Sequence, residues 1–126
     1  MAGLPRLSVG WPVWLVSLAL LLAPALSLGD AALDAEVDHL LEHVRTSDFV
    51  FIRNGKEHSP EEAAEHMQRK YDYFSKRVRT AEDFIEYSAT KSTMSGRKYT
   101  IRLADGTVVI AQEYLLGVLK EYRTGD

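Results

Sequence analysis

The sequence predicts a single small α+β domain in which about four helices pack on one side of a small antiparallel sheet made from two hairpins. Three observations carry this expectation. Apolar residues recur at helical spacing in four stretches, and two short β-rich runs are each followed by a turn dipeptide. A chain of 126 residues with 46% hydrophobic content also has room for one core and hardly for two.

The first helix is expected from about Leu33 to Arg45, where Leu33, Val37, Leu40, Leu41 and Val44 share a face. Phe49 to Arg53 is β-rich, and Asn54-Gly55 after it favours a type I′ turn that returns through Lys56-Glu57-His58. Ser59-Pro60-Glu61-Glu62 then supplies an N-cap hydroxyl, a proline at the first helical position and a glutamate at the third, a capping box. This second helix is expected to reach about Arg79 and to bury Ala63, Met67, Tyr71, Phe74 and Val78. Thr80 can cap a third helix that carries Phe84 and Ile85 inward. The segment from Ser88 to Lys98 is dense in hydroxyls and bases and reads as a loop poor in core residues. Tyr99, Ile101 and Leu103 alternate with Thr100 and Arg102, Asp105-Gly106 turns, and Thr107 to Ile110 returns as a second hairpin. A last helix is expected from Ala111 to Arg123, with Tyr114, Leu115, Val118, Leu119 and Tyr122 inward.

Residues 1–29 have a different texture, because Arg6 is their only charged side chain and they hold both tryptophans. A weakly positive start, an apolar run from Val13 to Leu22 and small residues from Pro24 to Gly29 read as a secretory signal peptide, cut between Ala25 and Asp30. A membrane-spanning helix needs about 20 apolar residues, and Pro24 interrupts this run too early. The expected organisation is therefore a leader over 1–29 and one domain over 30–126, periplasmic or secreted, with no stable membrane insertion after cleavage. The absence of cysteine excludes disulfides, thiolate metal sites and a cysteine nucleophile, and favours a bacterial periplasm over a eukaryotic secretory route. Fifteen Lys+Arg against 18 Asp+Glu give a net charge of −3 and no basic excess for nucleic acid.

The run Phe51-Ile52-Arg53-Asn54-Gly55, then Glu62-Ala63 with His66, then Arg79 through Ile85, and finally Ser92 with Ser95-Gly96-Arg97-Lys98-Tyr99, resembles the YfeK-like family of small exported bacterial proteins. The likeness covers roughly Leu40 to Tyr122. It implies an envelope or secreted location and a domain of helices and hairpins, and it implies no activity.

Two segments are candidate ligand sites. Lys91, Arg97 and Lys98 stand among Ser92, Thr93 and Ser95 in an otherwise acidic chain, a mixture suited to anionic groups or to the hydroxyls and carboxylates of glycans and peptide ends. Arg53 beside Asn54 at a hairpin tip could recognise a carboxylate, or could pair with Glu57 or Glu62. The candidate ligand-binding residues are thus Arg53, Asn54, Lys91, Ser92, Ser95, Arg97 and Tyr99, provided tip and loop meet on one surface.

Three rival patterns are weaker. His39-Leu40-Leu41-Glu42-His43 spells the H-x-x-E-H of inverted zinc peptidases, yet such an enzyme needs a distant third ligand and a large scaffold, and a solvated helix face explains the residues as well. Ser95-Gly96-Arg97-Lys98-Tyr99 spells S-G-x-x-Y, which resembles the motif of periplasmic lysozyme inhibitors; those are β-barrels, and this chain is largely helical. His58 and His66 flank a helix start and could form a pH-sensitive contact or be two unrelated edge residues. No catalytic residue, metal ligand or cofactor is assigned. The expected role is a non-catalytic interaction module binding an envelope protein, peptide or glycan, with a small metal-dependent hydrolase or a lysozyme inhibitor as alternatives.

Overall fold

The computed structural model describes residues 28–125. Helix α1 (Leu28–Arg45) is followed by the hairpin β1 (Val50–Arg53) and β2 (Lys56–His58), then by α2 (Pro60–Phe74). A 3₁₀ turn (Ser75–Arg77) leads to α3 (Ala81–Ser88), a second hairpin of β3 (Thr100–Arg102) and β4 (Val108–Ile110), and α4 (Ala111–Thr124). The expected architecture is present, as one four-stranded antiparallel sheet in the order β2-β1-β3-β4. The expected leader over 1–29 lies outside the described residues, except that Leu28 and Gly29 open α1. No helix among the described residues is long and apolar enough to cross a membrane.

Local chemistry explains where the elements begin and end. Asp30 in the first turn and Ala31-Ala32 extend α1 ahead of its first apolar contact at Leu33. The Asn54-Gly55 turn has the positive φ angles, 53° and 77°, that a type I′ hairpin requires. The capping box at α2 is complete: Ser59 Oγ accepts from the Glu62 N–H at 3.2 Å, and Glu62 Oε1 accepts from the Ser59 N–H at 3.4 Å. The α-helical part of α2 stops at Phe74, short of the expected Arg79. Thr80 must be extended to accept from the Asp83 N–H at 3.1 Å and cap α3, so the chain leaves the helix before it. Val78 is buried all the same, from an extended backbone.

Register settles which side chains face the helices. Phe51 is opposite Ile101, and Ile101 is opposite Val109, so these three share a face, with Phe51 and Ile101 buried. The core they join contains Val37, Leu40, Leu41 and Val44 of α1, Ala64 and Met67 of α2, Phe84 and Ile85 of α3, and Leu115 and Leu119 of α4. The other face carries the Arg102–Glu57 ion pair at 2.9 Å. Strand side chains alternate between faces, so Arg53, two residues beyond Phe51, is on the helix-covered side. Continuing the β1–β3 register one residue past Ile52–Thr100 sets Tyr99 opposite Arg53, on that same side. A cation and a phenol thus come together at the open end of the core, against α2.

The connection after α3 is more buried than its composition suggests. Thr90 Oγ1 donates to the Ile85 carbonyl at 2.9 Å, which satisfies its hydroxyl and permits burial, and Ser92 is buried too, its Oγ accepting from Asn54 Nδ2.

Candidate functional site

Hairpin tip and loop do meet. Asn54 Nδ2 donates to Ser92 Oγ at 3.3 Å, and Ser95 Oγ donates to Asn54 Oδ1. The loop is itself closed: Lys91 bridges Lys98, the Ser92 N–H donates to the Arg97 carbonyl at 3.0 Å, and the Gly96 N–H donates to the Ser92 carbonyl at 2.9 Å. Gly96 takes φ 74° to make that turn. The Arg97 guanidinium lies over Gly55, where an added Cβ would be 3.9 Å from both Nη atoms. Asn54, Ser92 and Ser95 therefore work as a clasp, with their polar atoms committed to one another. Lys91 contributes its carbonyl, while its side chain lies outside the cleft.

The clasp borders a cleft of about 420 Å³, a size in the range of small-ligand sites. Its floor joins Arg53 and Tyr99 to two residues of α2 one helical turn apart, His66 and Lys70. Arg53 Nη1 is closest to His66 Nδ1 and 3.0 Å from Nε2. His66 Nε2 is 3.1 Å from Tyr99 Oη. Lys70 Nζ donates to Tyr99 Oη at 3.2 Å and to the Lys91 carbonyl at 2.8 Å, and sits 5.2 Å from the Tyr99 ring centroid.

Donor arithmetic assigns the protons. Guanidinium has no lone pair to offer, so His66 Nδ1 accepts, which leaves the ring proton on Nε2 to donate to Tyr99 Oη. Tyr99 Oη then accepts from both His66 and Lys70, and its own O–H has no protein acceptor among the described residues. Arg53 Nε and Nη2 are also unpartnered there, and Lys70 retains a third N–H. The glutamates proposed for Arg53 are engaged elsewhere: Glu57 pairs with Arg102 at 2.9 Å, and Glu62 is 3.3 Å from His58 Nδ1. The cluster offers donors in excess and no carboxylate.

Electrostatics follows from this crowding. Burial, reinforced by Arg53 and Lys70, pushes His66 down to about 4, so the ring is neutral at pH 7. Burial and then Arg53 hold Lys70 below its ordinary range, and burial raises Tyr99 against a smaller opposing effect of Arg53. The consequence for stability has a definite sign. Unfolded His66 titrates near 6.5 and folded His66 near 4, so between those values the unfolded chain binds the extra proton. His66 therefore costs no stability above about pH 6.5, erodes it as pH falls towards 4, and costs no more below. Urea midpoints at pH 7 and pH 4.5 are expected to differ less in His66→Gln than in the wild type, and equal differences would contradict this environment.

The opposite wall is apolar. Phe74 stacks on Tyr87 with centroids 5.2 Å apart and meets Tyr73 edge-on at 4.8 Å, while Tyr73 and Met94 are 82% and 97% exposed. Tyr73 and Phe74 lie seven and eight positions after His66, about two helical turns, which explains why one face of α2 supplies both floor and wall.

The rival patterns fare differently. His39 stacks on Tyr122 at 4.2 Å and His43 Nε2 lies 2.9 Å from Tyr114 Oη, so both pack on α4 and do not form a solvated face. Glu42 pairs with Arg45 at 2.6 Å. Among the described residues no three His, Cys, Asp or Glu side chains gather as metal ligands. Tyr99 of the S-G-x-x-Y motif is 7% exposed and bonded inward, a floor residue that does not protrude.

The sequence pattern of a family of unknown function, DUF5329, matches residues 31–123, nearly the whole of the described domain. The chain belongs to the DUF5329 family. A relative in the same vein is the "Uncharacterized protein YfeK" of Salmonella typhimurium, 35% identical over 81 residues that span 64% of this chain and 68% of that protein. No solved structure matches the chain significantly. The DUF5329 match spans every residue of the cleft, from Arg53 to Tyr99.

Reading the sequence alone points to Arg53, Asn54, Ser92, Ser95 and Tyr99; the structure adds Lys70, Tyr73 and Met94 to this candidate cleft, with His66, which the sequence treats as incidental. One signal was available for His66, which lies within the motifs that carry the YfeK-like resemblance.

Proposed function

We propose that this chain is an exported, non-catalytic binding module of the cell envelope that captures an anionic group of a protein, peptide or glycan in the cleft between α2, the β1–β2 tip and the Lys91–Lys98 loop. One observation carries the binding half: Arg53, Lys70 and the Tyr99 hydroxyl converge with unspent donors and no carboxylate partner among the described residues. Two basic groups held together without a counter-charge repel each other, and an anion relieves that cost while filling the empty donor positions. The leader-like texture of residues 1–29 and the absence of cysteine support export to a periplasm.

Titration of sulfate into the purified protein, followed by the amide shifts of Tyr99 and Ser92, is expected to saturate and to weaken with added sodium chloride. Unchanged shifts would reject anion binding. Location is tested separately by the intact mass of periplasmic protein, which should begin between Leu26 and Ala31; a full-length chain in the membrane fraction would reject cleavage.

A further inference from the structure

Resting on the anion-binding reading, we propose that the cleft takes the free carboxyl terminus of a peptide whose last residue is bulky and apolar. The floor offers Arg53 with its Nε and Nη2 unpartnered among the described residues, a pair of parallel N–H groups that matches a carboxylate in bidentate fashion. Tyr99 and Lys70 supply further donors for the same two oxygens. Directly beside them stand the exposed Tyr73 and Met94 and the half-buried Phe74, apolar surface next to unspent donors. The Phe74 ring is fixed between Tyr87 and Tyr73, so this wall is formed before a ligand arrives.

A volume of about 420 Å³ admits one or two residues, which is what capture of a chain end demands. The same inventory disfavours an acidic sugar. Sugar hydroxyls need acceptors as well as donors, and of the side-chain acceptors at this cleft Asn54 Oδ1 and Ser92 Oγ are already engaged by Ser95 and Asn54, which leaves chiefly the hydroxyls of Thr93 and Tyr73. Met94 and Phe74 have no side-chain oxygen to offer in their place.

Two methionines provide the test, because Met94 is at the rim and Met67 is buried on the core side of α2 as a reporter of the fold. With 13C-methyl methionine in the whole purified protein, N-acetylphenylalanine is expected to shift Met94 and leave Met67 in place. Its carboxamide and N-acetylglycine should each bind at least about tenfold more weakly, through loss of the charged hydrogen bonds and of the buried ring respectively. Met94→Ser should lose part of the preference for phenylalanine over glycine with no change in melting temperature, since this side chain is 97% exposed. Equal binding of N-acetylglycine and N-acetylphenylalanine would overturn the apolar terminus while sparing the anion reading. Tighter binding of glucuronic acid would assign the cleft to glycans and overturn the proposal. No response to any acid, sulfate included, would overturn both readings.

Discussion

Arg53→Met is expected to weaken sulfate binding by about 10- to 100-fold, the effect of deleting charged hydrogen bonds of roughly 1.5–3 kcal/mol. The fold should survive, because among the described residues Arg53 makes no ion pair and its hydrogen-bond partner is the His66 ring. Methionine also keeps most of the aliphatic stem that covers the end of the core. A second readout separates this from simple damage: without the guanidinium, His66 should titrate higher than its present value of about 4, since Arg53 is the largest charged contributor to that depression. Sulfate binding within twofold of wild type would show that Arg53 is not in the anion site.

Phe84→Ala is expected to cost about 3–5 kcal/mol. Phe84 is fully buried on α3, with the Tyr71 ring edge-on at 5.3 Å, in a core whose other large members, among them Leu40, Ile85 and Leu115, are as enclosed as it is, and a close-packed interior relaxes only in part around a void. A domain of this size has about 5–15 kcal/mol in all, so the variant should be unfolded in part at 37 °C. Urea unfolding decides it, and a loss below about 1 kcal/mol would mean that the core is looser than described.

The parts of the fold that depend on neighbouring residues could be read from the sequence. Ser59 and Glu62 cap each other across three residues, and Asn54-Gly55 turns within two. Tyr99 and Ile101 alternate inward because strand geometry requires it. The end of α2 was harder, because the apolar period continues through Val78 while the cap of the next helix forces the backbone out of helical form. The site was only partly legible for a related reason. Tip and loop announce themselves by composition, but Lys70 and Tyr73 look like the solvated face of an amphipathic helix. They acquire meaning from the pairing of β1 with β3, two strands from separate hairpins, which brings Tyr99 beside Arg53 and both against α2. No short-range pattern encodes that pairing.

The most direct measurement is the pKa of His66 with and without saturating sulfate, an anion that keeps its charge across the range. In the free protein the ring should titrate near 4, held down by burial and by Arg53 and Lys70. A sulfate bound among those two cations cancels their field, so the His66 pKa should rise, and by reciprocity sulfate should bind more tightly as pH falls through that raised value. A pKa that stays where it is while sulfate binds would place the anion elsewhere, and would contradict the assignment of this cleft as the binding site.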